Sequence, residues 1–402
     1  MTMQAMRRTF VLLALLIGTP TAALAQANCK NTANFDAWLA AFKKEALAKG
    51  ISQNALAAAS PYMVLEQRIL NIDRSQKFFA QDFLEISTKM LPSGRLTGGA
   101  AKIKQYRDLF NREEKEFGVP ASVITAFWGL ESDFGVGQGK DQSIKSLTTL
   151  AYDCRRPDLF REQLLYALKV IDRGDLTAAE MRGPWAGELG QLQFIPGHYY
   201  DFGVDFDGDG KINLLKSSPD ALASAANYLA SLGWKRGQPW LEEVKVPQEN
   251  FPWDQADLAI KLPRSKWASL GVKGVGGPLK SDALPASLVL PMGRFGPAFL
   301  AYPNFDAFLG WNSSLVYSTT AAYFATRLTG APRVSQPSRP IDGLSVAEVK
   351  KLQTILAKRG YKIDKVDGVI GAQTRTAVKA VQTKLGLPAD SYPTKGLLAK
   401  LT

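Results

Sequence analysis

A carboxylate set among large apolar side chains is the first group in this sequence equipped for acid–base chemistry. In VITAFWGLESDF, Glu131 follows Trp128 by three residues, Phe127 by four and Ile124 by seven. On a helix those spacings place all four on one stripe. Desolvation there disfavours the charged carboxylate and raises its pKa, as a general acid working near neutrality requires. A buried structural glutamate paired with an arginine fits the same spacing equally well. Asp133 lies roughly 200° further round the helix, so the two carboxylates share a site only if the helix breaks between them.

A second constellation is GPWAGELGQLQFIP, residues 183–196. Its glycines allow close backbone approach, and Gln191 and Gln193 offer donors and acceptors suited to sugar hydroxyls and amides. A structural turn between helices would read the same. Glu188 within it is either a second acid or base or a solvated loop charge. Asp205, Asp207, Asp209, Gly210 and Ile212 match positions 1, 3, 5, 6 and 8 of a calcium loop. Position 12, which should hold a carboxylate, is Lys216, so an acidic turn without metal is the favoured expectation. His198 is the only histidine and Cys29 and Cys154 the only thiols, which excludes a zinc site of the usual ligands. A Ser-His-Asp site would have to use His198, which has no nucleophile elbow nearby. Carboxyl, amide and aromatic groups remain, and no cofactor is expected.

These groups need a helical frame. Asn34 is a suitable N-cap for an amphipathic helix over 34–50, with Phe35, Trp38, Leu39 and Phe42 on one face and Gly50 at its end. Pro120 suits the first position of the Glu131 helix, which Gly135 and Gly137 terminate near a cleft. Further helical patterns cover 158–172, 219–232 and 314–328. Between 240 and 303 Pro and Gly become dense. The β-prone runs 287–290 and 298–302 flank Gly293-Arg294-Phe295-Gly296, which predicts an inserted hairpin subdomain. His198 is expected in a loop with Tyr199 and Tyr200.

Arg7-Arg8, the short apolar run 10–17 and Ala23-Leu24-Ala25 form a secretory signal cut before Gln26. The run is short of the ~20 residues of a spanning helix, and no later segment could span a bilayer. Export implies the periplasm, weakens a nucleic-acid reading of the +12 charge, and makes Cys29–Cys154 a disulfide. Residues 330–343 carry three prolines and two serines and read as a semi-extended linker. Beyond it, 344–402 holds 11 Lys/Arg against 4 Asp/Glu, with Leu352-Gln353 and Val381-Gln382 in two helical halves.

Glu131-Ser132, Tyr152-Asp153-Cys154-Arg155-Arg156, GQLQFIP and DFDGDG, in that order over about 30–330, resemble the lytic murein transglycosylase B family. Leu352-Gln353, Gly360-Tyr361, Asp367-Gly368, Gly371 and Thr374 resemble the peptidoglycan-binding type 1 domain. The resemblance implies an α+β, mostly helical, goose-lysozyme-like catalytic domain (26–329, with 240–303 inserted) and a small three-helix wall-binding domain (344–402). It further implies peptidoglycan glycan strands as substrate and cleavage between N-acetylmuramic acid and N-acetylglucosamine to 1,6-anhydro ends. The family's catalytic Glu falls on Glu131 and its substrate-binding Gln on Gln193. Its cleft Asn falls on Asn312, and its cleft tyrosines on Tyr228 and Tyr317. Trp311 stands where the family often has Tyr, so stacking is kept and a hydroxyl lost. Pro184 replaces a Ser, and Glu188 a small residue. A muramidase hydrolysing the same bond, or a wall-binding protein without catalysis, are the alternatives.

Overall fold

The computed structural model describes residues 34–75 and 82–402; the expected signal segment and Cys29 lie outside them. Cys154 is disulfide-bonded. No helix among the described residues is long and apolar enough to cross a membrane.

The molecule is organised around the helix Ala121–Ser132, in which nine of twelve residues are buried. It is therefore a core helix walled on nearly every side, rather than an amphipathic one lying on a surface. The helices Ser93–Gln105, Ser218–Ser231 and Leu315–Leu328 pack around it. Pro120 is its N-cap rather than its first helical residue, since its ψ of 149° is extended. At the other end Asp133 and Phe134 turn left-handed, with φ of 52° and 62°, and stop the helix one residue after Ser132. The first helix runs Phe35–Ala48, and the Asn34 side chain accepts from the Ala37 amide at 2.9 Å. His198 sits within a helix, Pro196–Phe202, not a loop, because Pro196 opens a turn that Gly203 closes.

Ser143–Tyr152 and Pro157–Arg173 form a helical hairpin. The Asp153–Arg156 corner between them is clamped to the helix Gln67–Ser75. There Asp73, almost fully buried, pairs with Arg155 at 2.7 Å and Arg156 at 2.5 Å. Two guanidinium partners satisfy this buried carboxyl, so the paired arginines of the sequence explain the corner.

The insert is a five-stranded antiparallel sheet in the order 262–263, 285–289, 298–301, 241–245, 273–274. Pro285–Val289 and Ala298–Ala301 make the expected hairpin, with Leu288 opposite Leu300. Both strands read as continuous apolar runs because the period of two divides them between two cores. Leu288, Ala298 and Leu300 join the insert's own cluster around Trp253 and Trp267, whereas Val289, Phe299 and Ala301 face the main core.

Residues 344–402 form three helices, Val346–Lys358, Ala372–Lys384 and Lys395–Leu401, around a separate cluster of Val349, Leu352, Leu356, Val378 and Val381. Gln353 and Gln382 do the same job in the two halves. Each buries its amide to brace a following loop, Gln353 at Asp367 and Gly368, Gln382 at Asp390 and Ser391. The 330–343 segment is extended as expected and is also strapped down, by Val334 N–H to the Tyr323 hydroxyl (3.0 Å), Ser335 N–H to Glu243 (2.8 Å) and Ser338 N–H to the Phe295 carbonyl (2.8 Å). The unit itself docks on the insert. Arg375 donates to the carbonyls of Leu290 (3.1 Å) and Pro291 (2.7 Å), Lys379 pairs with Asp257 (2.7 Å), and Asp390 accepts from the Arg294 amide. Truncating Arg375 to Ala leaves the Pro291 carbonyl without a donor and the Leu290 carbonyl with the Gly293 amide alone (3.3 Å), at about 1–3 kcal/mol for a carbonyl left buried and unpaired. The expected result is a loosened joint and faster proteolytic cutting within 330–343. Unchanged cutting would show that the joint does not depend on this guanidinium.

Candidate active site

Glu131 is the penultimate residue of its helix, where the buried stripe of Ile124, Phe127 and Trp128 meets the helix Phe305–Trp311 and its successor Leu315–Leu328. The short link between those two is pinned by Ser318, whose hydroxyl donates to the carbonyls of Phe308 (3.0 Å) and Asn312 (2.6 Å). Ser314 caps the second helix by accepting from the Tyr317 amide. This junction delivers two donors to the carboxyl. The Trp311 indole N–H reaches Glu131 Oε1 at 3.0 Å, and the Tyr317 hydroxyl makes a short hydrogen bond to the same oxygen.

Burial is the largest influence on Glu131 and pushes its pKa up; the Tyr317 and Trp311 donors pull it down, and the charge of Glu188 adds to the rise. The net direction is upward, as a proton donor requires. Burial and the neighbouring Glu131 push the Tyr317 hydroxyl well above the ordinary tyrosine range, so it stays protonated and remains a donor. The alternative of a glutamate paired with arginine is not what the structure shows: the groups bonded to Glu131 are an indole and a phenol.

Aromatic rings wall the approach. Phe127 stacks on Trp311 at 4.2 Å, and Tyr228 and Phe194 meet Trp311 at 5.5 Å and 5.4 Å. His198 lies 4.3 Å from Tyr228, and burial lowers its pKa, so it is a neutral ring packed among rings. Tyr228 is buried, with its hydroxyl at 3.5 Å from the Gly310 carbonyl. Asn312 is half-buried beside Trp311, and its Oδ1 accepts from the Ser314 amide at 2.9 Å.

The glutamine run separates into two roles. Gln193 adopts a left-handed backbone, φ 51°, and holds its amide near Gln138 and Gly190, half-buried. A non-glycine residue in that region marks a constrained position. Gln191, expected to meet substrate, is instead a brace. Its side-chain oxygen accepts from Trp128 Nε1 at 2.9 Å, its nitrogen reaches the Leu215 carbonyl, and its own carbonyl accepts from Ser132 Oγ at 2.5 Å. It is nearly fully buried, so a sugar finds no free edge there. Ser132 completes the clamp by accepting from the Gly135 amide. Asp133 turns away and pairs with Arg95 at 3.1 Å.

Gly183 and Gly139 let the two segments touch. A side chain at Gly183 would begin 1.8 Å from the Glu188 carbonyl, and one at Gly139 would strike the Gly183 backbone at 2.2 Å. This contact tucks Glu188 inward, which excludes a solvated loop charge. The residue is half-buried, its Oε2 is shielded and lacks a hydrogen-bond partner among the described residues, and burial raises its pKa. It borders a recess of about 240 Å³ lined by Arg155, Arg156, Gln163 and Trp185.

Asp205, Asp207 and Asp209 bring carboxylate oxygens within 4.8 Å of one another. They are already turned onto the loop's own amides, Asp205 on Gly208, Asp209 and Gly210, and Asp209 on Lys211. Asp207 also accepts from the Ser217 hydroxyl. Lys216 is drawn aside by Glu180 at 2.6 Å, so it neither supplies a ligand nor covers the loop. No chemical step is assigned to a metal.

Residues 34–326 match the Transglycosylase SLT domain family, and residues 345–401 match the peptidoglycan binding domain family. SltB3 from Pseudomonas aeruginosa in complex with NAG-anhNAM-pentapeptide is 40% identical, with a TM-score of 0.85 covering 91% of this chain and 99% of that one. Its complex with NAG-NAM-pentapeptide gives 41% identity and the same score, over 92% and 99%. Membrane-bound lytic murein transglycosylase B from Escherichia coli is 29% identical over 238 residues, which span 59% of this chain and 64% of that protein's length. The arrangement around Glu131 thus sits in a frame shared, nearly end to end, with a structure that has been seen holding an anhydro-sugar peptide. With the family match extending over most of its length, this chain belongs to the Transglycosylase SLT domain family.

Proposed function

We propose that the chain is a lytic transglycosylase of the periplasm that cuts the β-1,4 bond between N-acetylmuramic acid and N-acetylglucosamine in peptidoglycan. The observation that carries this is the Glu131 carboxyl held on one oxygen by an indole and a phenol beside packed aromatic rings, where burial favours its protonated form. Glu131 in its neutral form donates its proton to the glycosidic oxygen as the C1–O4 bond breaks. The resulting carboxylate then takes the proton of the muramic C6 hydroxyl as O6 bonds to C1, leaving a 1,6-anhydro end and a restored acid. No water is consumed and no cofactor is required. Gln193, Asn312 and the rings of Trp311, Tyr228 and Tyr317 position the sugars, and the basic unit 344–402 holds the strand.

The half-buried Glu188 favours a second reading. A second carboxylate close enough to act on the charge of Glu131 could activate water and turn the reaction into hydrolysis. Mass spectrometry of digested wall separates the two, because anhydro ends are lighter by one water than reducing ends. Anhydro products support the proposal, and reducing ends as the dominant product would replace it with a muramidase. A protein that binds wall and releases neither would be a scaffold.

A further inference from the structure

Two features of the Glu131 carboxyl bear on where its proton resides. Both donors address the same oxygen, Oε1, and they differ in kind. A tyrosine hydroxyl can donate or accept, whereas an indole N–H can only donate. Were the acidic proton on Oε1, it would face the Trp311 N–H across 3.0 Å, hydrogen against hydrogen. Trp311 cannot turn away from this contact. Its ring is stacked on Phe127 at 4.2 Å and flanked by Phe194 and Tyr228, and the turn behind it is pinned by Ser318. Rotation of the Tyr317 hydroxyl alone could accommodate either protonation state.

We propose that Trp311 is a positioning residue that assigns the Glu131 proton to Oε2, by holding Oε1 permanently as an acceptor. The proton then leaves and returns through one oxygen. Donation to the glycosidic oxygen and recovery from the C6 hydroxyl both occur at Oε2, while Oε1 keeps its two hydrogen bonds throughout. Where this chain has Trp in place of Tyr, the change is not the loss of a hydroxyl but the gain of a donor with no alternative state. This inference rests on the proton-transfer role proposed for Glu131.

The sign of the pH effect follows from the donor's action. The indole N–H stabilises the carboxylate and lowers its pKa. Removing it lets the acid form persist to higher pH, so the alkaline limb of the kcat/KM profile moves up. Trp311→Phe keeps a ring against Phe127 and removes the donor. It should reduce kcat by roughly tenfold to a hundredfold, the usual weight of a hydrogen bond to a charged group, with KM little changed and the alkaline limb displaced upward. Trp311→Tyr, which restores a hydroxyl that can donate, should recover part of the lost kcat. Trp311→Phe with parental kcat, or with lower kcat and an unmoved alkaline limb, would overturn the proposal in favour of simple packing. A measurement on the unaltered protein covers a variant that fails to fold. With ¹⁵N-labelled tryptophan, one indole N–H resonance should titrate together with the alkaline limb and stop titrating in Glu131→Gln. If no indole resonance follows that limb, the proposal is wrong. If Glu131→Gln digests wall at the parental rate, the proton-transfer role itself has failed. If it is inactive while Trp311→Phe behaves as the parent, only this inference falls.

Discussion

Glu131→Gln should slow release of anhydro-muropeptides by about 10²–10⁴-fold, the span expected for loss of general acid–base help, while the melting temperature stays close to the parent's. The amide is nearly isosteric, and its oxygen can still accept from the Trp311 indole and the Tyr317 hydroxyl. What is removed is the transferable proton. A structural glutamate would behave in the opposite manner: exchange for an amide would alter stability and leave digestion largely intact. Rate and melting measured on one preparation therefore distinguish the roles. Parental digestion by the folded variant would refute the assignment.

A large effect on stability is expected at a carboxyl outside the proposed chemistry. Glu113, on the helix Arg107–Phe117, is fully buried, and neither carboxylate oxygen has a hydrogen-bond partner among the described residues. Burial raises its pKa from 4.5 to about 8, against a smaller opposing pull from Arg112. The folded state thus favours the neutral acid, whereas the unfolded chain ionises near the ordinary value. Stability from this group is complete below about pH 4.5 and is lost as pH rises through about 8. At about 1.4 kcal/mol per pH unit the loss reaches at most about 5 kcal/mol. Glu113→Met, which keeps the length and removes the charge, should raise the melting temperature at alkaline pH and change it little in acid. A melting profile that falls with pH as steeply in the variant as in the parent would show that another group is responsible.

Local signals carried much of the frame. Asn34 as a cap and the apolar strands around Gly293 to Gly296 act over a few residues, and the structure places elements there, whereas the Glu131 helix is stopped by Asp133 and Phe134 ahead of the glycines expected to end it. The Glu131 stripe was legible for the same reason, since i, i+3, i+4 and i+7 spacing fixes a face wherever the helix lies. What could not be read were contacts closed by the tertiary fold. Trp311 meets Glu131 across 180 residues, so the sequence alone shows a lost hydroxyl there and not the gained donor. Gln191 carries the same side chain as Gln193, and only the burial of Trp128 beside it shows that one is a brace. For Glu188 the sequence leaves a second acid or base and a solvated loop charge both open, because turn composition says nothing of the Gly139–Gly183 contact that draws it in. The straps along 330–343 tie a polar segment to the helix Leu315–Leu328 and to the insert through main-chain groups, which composition does not register.

The central claim is that the side chain at position 131 holds its proton until a glycosidic oxygen takes it. Carboxyl ¹³C NMR of glutamate-labelled protein tests this directly, with Glu131→Gln identifying the resonance. A carboxyl that titrates above the ordinary value of 4.5, in step with the alkaline limb of kcat/KM, is the predicted result. A carboxyl at position 131 that is already ionised across the pH range in which the enzyme works would contradict it.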